Sequence, residues 1–191
     1  AVTIAKMSDI VILSIGESGG MAGEAKSRSA LNIPGVQVDL IKEIIATGKP
    51  VIVVISAGRP LIFNWISDNA SAILYTWWLG HQAGNAIADV LFGDYNPSGK
   101  TTVTFPRAEG QIPIYYNHLN TGRPVTDDNE HTYRSGYSDL SIYPKYPFGF
   151  GLSYTQFEYS GVSVNNSFLN GNEKLIASAI VKNIGKYSGE E

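Results

Sequence analysis

Three short apolar runs mark the first half of the chain: Ile10–Ile15 (IVILSI), Val51–Ser56 (VIVVIS) and Ala72–Trp77 (AILYTW). Runs of this length with few polar interruptions are typical of strands that are buried on both faces, as in a parallel sheet. They predict three such strands.

Apolar residues at helical spacing separate these runs. The largest set, which precedes a stop signal at Gly48, consists of Val36, Leu40, Ile41, Ile44 and Ile45. Shorter helices are predicted near Phe63–Ile66 and over Ala83–Phe92, and the residues before Asp9 predict the end of another helix. Strand–loop–helix units in series predict an α/β fold with a mostly parallel sheet sandwiched by helices.

Ligands of such sheets bind beyond the carboxyl ends of the strands. Three loops are predicted at that edge: Gly16–Gly35, Ala57–Pro60 and Trp78–Gln82. The first is by far the longest and is rich in glycine, and long loops in compact domains are commonly functional. The sequence therefore indicates Gly16–Gly35 as the place for chemistry.

The pattern changes after Phe105. Pro106–Tyr154 has little periodicity and many Tyr, Pro, Gly and Asn residues, which predicts an irregular aromatic extension packed over the sheet. Phe157–Val164 and Leu175–Lys182 then alternate apolar and polar positions, as the opening strands of a β-sandwich do. We expect the chain to begin inside a larger protein and to stop before such a sandwich is complete.

Composition excludes several classes of function. The net charge is −3 and only 16% of the 191 residues are charged, so nothing favours nucleic acid or anionic lipid as a partner. The absence of cysteine excludes disulfides, thiolate metal sites and a cysteine nucleophile. No apolar run approaches the length that spans a membrane.

The segment GDYNPSGKTT, Gly93–Thr102, has some features of a phosphate-binding loop but the wrong spacing. Such loops place four residues between the first glycine and the Gly-Lys pair, whereas five intervene here and one of them, Pro97, has no N–H group. A predicted helix precedes the segment and a β-branched run, Thr101–Phe105, predicted as a strand, follows it, which reverses the usual order. We interpret the segment as a helix stop and an Asn-Pro turn.

Other candidate groups have simpler explanations. The spacing of Asp127, Asp128, Glu130 and His131 fits no recognised metal site, and no serine stands in a G-x-S-x-G elbow. We expect local hydrogen bonds at His81 and His118. Of the tryptophans after the third apolar run, Trp77 is expected in the core, while Trp78 faces either the core or the crevice.

Four segments taken together resemble the C-terminal half of glycoside hydrolase family 3 enzymes, most of all the bacterial periplasmic β-glucosidases of that family. They are SDIVILSIGESGGMAGEAKSR, IPGVQVDLIKEIIATGKPVIVVISAGRPL, AIADVLFGDYNPSGKTTVTFPRAEGQIPIYYNH and YPFGFGLSYTQFEYS. The resemblance covers nearly the whole chain in collinear order.

The resemblance implies a domain organisation. Family members place a barrel first, then a six-stranded α/β sandwich, and often a fibronectin type III-like domain. Residues 1–155 would be the later part of the α/β sandwich domain and residues 156–191 the first strands of the fibronectin type III-like domain. Partners implied are a carbohydrate substrate and the barrel domain of the same protein. A truncated sheet and half a sandwich would also leave apolar surface uncovered, so we expect association with further copies of the chain or with the missing segments. The implied location is periplasmic or secreted, and no cofactor or metal is implied.

The resemblance also implies a mechanism. Retaining glycosidases use two carboxyl groups about 5–5.5 Å apart, one as nucleophile and one as acid/base. The family's nucleophile is a barrel aspartate, which no residue here matches, so we expect the isolated chain to be inactive. Glu24 matches the loop glutamate that is the acid/base in many members, although other members differ in which residue supplies the acid.

Alternatives remain for the neighbours of Glu24. Glu17, just after the first strand, is a rival acid but is expected to be a hydrogen-bonded structural carboxylate. Ser18 and Met21 line the sugar site or pack within the loop, and Arg28 anchors the loop through a carboxylate or a carbonyl. A non-catalytic carbohydrate-binding or interaction module on the same scaffold is the alternative function.

Overall fold

The structure is a computed structural model that describes residues 1–125 and 133–191. The chain forms two compact units, one made of Ala1–Ala83 and Thr101–Phe150 and the other of Gly84–Lys100 and Gly151–Glu191. None of the helices in the described ranges has the length and apolar character needed to cross a membrane.

The four residues whose spacing fits no recognised metal site lie outside the described ranges. They are Asp127, Asp128, Glu130 and His131.

The first unit contains a three-stranded parallel sheet. Its elements in chain order are α1 (Val2–Met7), β1 (Val11–Gly16), α2 (Gln37–Ile45), β2 (Val51–Ser56), α3 (Asn64–Asn69), β3 (Ala72–Tyr75) and a 3₁₀ turn (Glu109–Gln111). Strand β2 lies between β1 and β3, and both pairings are parallel. The predicted α/β fold with a parallel sheet is confirmed, while the placement of helices on both faces of the sheet stays a prediction.

The core of this unit lies between the sheet and the helices, because each element turns one apolar side toward it. Ile41 and Ile44, one turn apart on α2, are 0% and 1% exposed and meet Val53 and Ile55 of β2 in one buried cluster. Burying each such side chain contributes roughly 1.5–3 kcal/mol. Leu40, predicted on the same stripe, is instead exposed because it lies off the side of α2 that faces the sheet.

Three strand predictions need correction. Strands β1 and β3 are not buried on both faces: Ile12 of β1 is 46% exposed and Ile15 is its buried apolar residue, while Ala72 of β3 is exposed and the rest of β3 is only partly buried. In the described sheet β1 has a neighbour on one side only, and an apolar run does not say what covers each face. Thr101–Phe105 is not a strand; it is an irregular segment with bends at Thr102 and Val103 and an isolated antiparallel bridge between Phe105 and Tyr146.

The aromatic extension is packed in one part and exposed in another. Phe105 is 2% exposed and makes edge contacts with Phe63, Tyr75 and Tyr146, with ring centroids 4.9–6.1 Å apart. Gln111 is buried and stabilises the same region, since its side chain accepts from the Arg107 N–H and donates to two backbone carbonyls. Other aromatic and apolar side chains of the extension, including Tyr115, Tyr116 and Leu119, are exposed.

The second unit contains most of helix α4 (Ala83–Phe92) and the antiparallel strands β4 (Phe157–Val164) and β5 (Ala177–Asn183). Two strands were predicted here from their alternation and are confirmed, although β5 begins at Ala177 rather than Leu175. That they open a β-sandwich stays a prediction. The Asn-Pro turn is structural, as predicted: the Asn96 side chain accepts from Ser153 Oγ and the Tyr154 N–H and donates to Ser188 O.

Candidate functional site

The long loop between β1 and α2 is closed at its base by one side chain. Gln37, at the start of α2, accepts from the Gly16 N–H at 2.8 Å and donates to the carbonyls of Gly16 and Pro34 at 2.9 and 2.8 Å. Gly16 has φ +134°, and a Cβ there would lie 1.9 Å from the Ser56 carbonyl oxygen. Only glycine fits this position, so the sequence fixes where the loop leaves the sheet.

Glu17, the first residue after β1, is a buried carboxylate with several cationic and polar partners. Its side chain has no exposed surface, and Arg28 Nη1 donates to Oε1 at 3.0 Å. The Gly58 N–H donates to Oε2 at 3.1 Å, and Arg59 Nε forms an ion pair with Oε1 at 3.2 Å. Burying a charge is expensive unless it is paired and hydrogen-bonded. The expectations that Glu17 is a structural carboxylate and that Arg28 anchors the loop are both confirmed.

Arg59 connects the loop after β2 to residues 21–26 of the long loop, which we call the tip. Its Nη2 group donates to the carbonyls of Met21 and Lys26, at 2.7 and 3.0 Å. Among residues 1–125 and 133–191, the Arg59 Nε hydrogen has no well-aligned acceptor, although Glu17 Oε1 lies within ion-pair distance. We therefore treat the Nε contact as electrostatic and the two Nη2 contacts as the directional ones.

Tyr75 of β3 holds the backbone of Arg59. Its hydroxyl donates to the Arg59 carbonyl and accepts from the Leu61 N–H at 3.3 Å. Burial raises the pKa of the Tyr75 hydroxyl to about 12, because the phenolate would lose its hydration. Tyr75 therefore stays a neutral donor to Arg59 over the physiological range.

Glu24 lies at the tip of the loop and is exposed. The backbone turns sharply on either side of it, with φ +124° at Gly23 and +56° at Ala25, and the Lys26 N–H bonds back to the Gly23 carbonyl at 3.2 Å. Within the described ranges, no residue forms a hydrogen bond or ion pair with the Glu24 carboxylate. The described part of the chain therefore does not hold the Glu24 carboxyl group in a fixed position.

An open depression of about 570 Å³ lies beside the tip. Its lining comes from the tip and from the loops after β2 and β3: Ala22, Gly23, Lys26, Ser27, Arg28, Gly58, Arg59 and Trp78. The three loops predicted at the carboxyl ends of the strands thus do meet. Ser18 and Met21 are exposed in the loop and do not line this depression, and their contact with a sugar stays a prediction.

The two adjacent tryptophans face different surroundings. Trp77, half-buried, makes an edge contact with Tyr75 at 4.9 Å and lies against Phe105, as expected for a core residue. Its φ of +55° is unusual for a bulky residue and turns the chain after β3. Trp78 is 47% exposed and lines the depression, where Gly58 allows the indole to approach because a Cβ there would lie 2.8 Å from Trp78 Nε1.

Sequence reasoning assigned no role to Arg59 or Gln37 and left Trp78 open between the core and the crevice; the structure places Trp78 at the depression. The positions of Arg59 and Trp78 at the carboxyl ends of predicted strands were a usable signal, since groups at that edge converge. The hydrogen bond from the Leu31 N–H to Glu109 Oε1, at 2.6 Å, had no such signal. It joins the loop to a segment with no periodic pattern.

Comparisons with known proteins indicate one family. Residues 1–154 match the family described as glycosyl hydrolase family 3 C-terminal domain. The chain is 51% identical over 189 residues to a periplasmic beta-glucosidase of Salmonella typhimurium, which covers 99% of this chain and 25% of that protein. A beta-xylosidase of Formosa agariphila is 44% identical over 192 residues, which cover 100% of this chain and 25% of the relative.

A solved structure resembles the whole chain in three dimensions. The crystal structure of a beta-glucosidase from Listeria innocua in complex with gluconolactone superimposes with a TM-score of 0.93 at 40% identity, over 98% of this chain and 26% of that one. The chain therefore spans about a quarter of the length of these relatives.

Proposed function

Because this chain belongs to the glycosyl hydrolase family 3 C-terminal domain family, we propose that it is part of a retaining, exo-acting β-glucosidase that hydrolyses O-glycosidic bonds of β-glucosides or oligosaccharides. The beta-glucosidases among its relatives support a glucoside substrate. The beta-xylosidase among the relatives supports a xyloside as an alternative substrate.

In the proposed reaction Glu24 is the general acid/base. An aspartate of a barrel domain, outside these 191 residues, attacks the anomeric carbon while the Glu24 carboxyl protonates the departing glycosidic oxygen. The Glu24 carboxylate then takes a proton from the water that attacks the anomeric carbon, which breaks the glycosyl–enzyme bond and restores both groups. Two carboxyl groups are enough for both steps, so the proposal includes no cofactor.

One observation carries the assignment: the tip carboxyl group is exposed and has no partner in the described part of the chain, whereas the loop that holds it is anchored at Gln37 and Glu17. A proton donor must be within hydrogen-bond reach of the leaving oxygen, and a carboxylate already tied to the scaffold is not. The same ground supports Glu24 over Glu17 as the donor, since the Glu17 carboxylate is fully buried between Arg28 and Arg59.

The test needs an enzyme in which these residues are joined to a barrel, for example the Salmonella relative with its matching segment replaced by this chain. Glu24→Gln keeps the shape of the side chain and removes the proton. We expect kcat/KM for methyl β-glucoside to fall about 100- to 10,000-fold, because that leaving group needs protonation. For 2,4-dinitrophenyl β-glucoside, whose leaving group needs none, the formation of the glycosyl–enzyme should change little, and added azide should restore turnover.

Glu43→Gln is the matched control, because Glu43 is an exposed glutamate on α2. It should leave both substrates unaffected. Equal rates for Glu24→Gln and the parent on methyl β-glucoside would contradict the assignment and favour the alternative, a non-catalytic carbohydrate-binding or interaction module.

The same proposal covers the remaining organisation of the protein. We assign residues 1–155 to the α/β sandwich domain and residues 156–191, with β4 and β5, to the start of a fibronectin type III-like domain. The 191-residue chain by itself should release no aglycone from aryl β-glucosides, because the nucleophile lies outside it. A periplasmic or secreted location and assembly with further copies complete the proposal; the name of the Salmonella relative supports the location.

A further inference from the structure

We propose that Arg59 is a positioning residue that holds the Glu24 carboxyl group in place for proton transfer. The proposal rests on the function proposed above for Glu24. It assigns to the loop after β2 a specific part in the reaction, although Arg59 itself does not touch the substrate.

Arg59 contacts the backbone of the long loop on both sides of Glu24 in the sequence. Its Nη2 group donates to the carbonyl of Met21 on one side of Glu24 and to that of Lys26 on the other. The other backbone hydrogen bonds of this segment, from the N–H groups of Met21 and Lys26, end on carbonyls inside the same loop. Among the described residues, Arg59 therefore supplies the hydrogen bonds that join the tip to another element of the unit.

The tip has little side-chain packing of its own to replace these bonds. Apart from their chain neighbours, Gly19 and Gly23 have no described atom within 4 Å of where a Cβ would stand. Ala22 is the exception in this segment, since its Cβ lies close to Gly58 of the loop after β2. A chain segment with so little packing loses its geometry easily, and a displacement of about 1 Å at a catalytic group can reduce the rate about 100-fold. Two hydrogen bonds from one rigid donor fix the position of the turn that carries Glu24.

Arg59 is itself held from two directions. Its Nε lies 3.2 Å from the buried Glu17 carboxylate, and its carbonyl accepts from Tyr75. The guanidinium is planar and presents its N–H groups at fixed angles, whereas a lysine ammonium is a compact charge on a flexible stem. Lysine at this position would keep the charge beside Glu17 without the fixed pair of bonds to the tip.

The test is Arg59→Lys in the barrel-joined enzyme. We expect kcat/KM for methyl β-glucoside to fall about 10- to 100-fold, with a much smaller change for 2,4-dinitrophenyl β-glucoside. Combining Arg59→Lys with Glu24→Gln should reduce the rate no further than Glu24→Gln alone, because both changes remove the same proton transfer. Amide hydrogen exchange of the peptide that contains residues 21–26 should become faster in Arg59→Lys.

Arg107→Lys is the matched control. Arg107 is also partly buried and its Nε donates to a backbone carbonyl, that of Tyr143 at 3.0 Å, but it does not contact the tip. It should change neither the ratio between the two substrates nor the exchange of residues 21–26. Arg59→Ala, prepared and assayed with added guanidinium, is a second test, because the added cation can take the place of the lost group beside Glu17 and at the tip. Rescue on methyl β-glucoside is expected, and no rescue would overturn the proposal.

Two outcomes would overturn the role of Arg59. Equal losses on both substrates, or losses that add to those of Glu24→Gln, would mean that Arg59 supports the fold in general. Failure of the proposed function would show itself in a different result: Glu24→Gln alone would hydrolyse methyl β-glucoside at the rate of the parent.

Discussion

Glu17 and Glu24 lie in the same glycine-rich loop, but one is buried and the other is exposed. Glu17 at the base is fully buried and contacts Arg28, Arg59 and the Gly58 N–H. Glu24 at the tip is exposed, and no described residue pairs with its carboxylate. The difference comes from distance to the sheet, since the base lies against the loop after β2, which supplies all but one of these partners.

The comparison separates two uses of a carboxylate. A buried, paired carboxylate fixes a backbone but has no free oxygen for a substrate, whereas an unpaired one can exchange a proton. Changes at the base should therefore act mainly on stability, and changes at the tip mainly on turnover. The stability measurement in each case is urea unfolding followed by tryptophan fluorescence, because all three tryptophans lie in the first unit.

The largest effect on stability is expected for Gly16→Ala at the base. The added Cβ would lie 1.9 Å from the Ser56 carbonyl oxygen, and φ is +134°. Overpacking and backbone strain together should lower the free energy of unfolding by about 4 kcal/mol. Gly23→Ala is the matched change at the tip, where φ is +124° but the space is open, and should cost only about 1–2 kcal/mol of strain. Equal losses in the free energy of unfolding for Gly16→Ala and Gly23→Ala would contradict the expected difference between the base and the tip.

Glu17→Gln should be the next largest. It keeps the size of the side chain but leaves Arg28 and Arg59, whose side chains are 18% and 16% exposed, without their anion. Breaking a buried ion pair by removing one partner costs about 3–5 kcal/mol, and the partial exposure of the arginines places this case near about 3. A change in the free energy of unfolding of less than about 0.5 kcal/mol would show that Glu17 does not anchor the loop.

Tyr75→Phe should have a moderate effect with a distinct pH dependence. Removing the bond to the Arg59 carbonyl should cost about 1 kcal/mol at neutral pH. The pKa of Tyr75 is raised from 10 to about 12, so its protonated form stabilises the fold below pH 10, and that contribution is lost as the pH rises toward 12. The parent should lose roughly 1–2 kcal/mol over this window, allowing for partial solvent contact of the ring. Tyr75→Phe should lose less of its free energy of unfolding over the same pH window. An equal loss in the parent and the variant would contradict this prediction.

Glu24→Gln should have the smallest effect on stability. An exposed side chain without a partner contributes little, and surface substitutions of this kind usually stay within about 0.5 kcal/mol. The same variant is expected to lose proton-dependent turnover, as described above. A cost similar to that of Glu17→Gln would mean that the tip carboxylate is also structural and would remove the contrast between the two glutamates.

Much of the secondary structure was predictable from the sequence, because periodicity is a local property. Helices α2 and α4 and strands β2 and β4 lie where their spacing predicts them. The exposed face of β1 was not predictable, since an apolar run says nothing of what lies on each side of it. The strand predicted over Thr101–Phe105 failed for a related reason: β-branched residues favour extended backbone, but a strand also needs a partner.

The sequence by itself determined the order of the strands and helices along the chain, the position of the long glycine-rich loop after β1 and the family resemblance on which the proposed role of Glu24 rests. Only the tertiary structure decided that Glu17 pairs with Arg59 as well as Arg28, that Arg59 brackets Glu24 and that Trp78 faces the depression. These facts depend on which loops the parallel pairing of β1, β2 and β3 brings to the same edge of the sheet. Contacts between residues far apart in the chain follow from that pairing, and a local pattern of polar and apolar positions does not encode it.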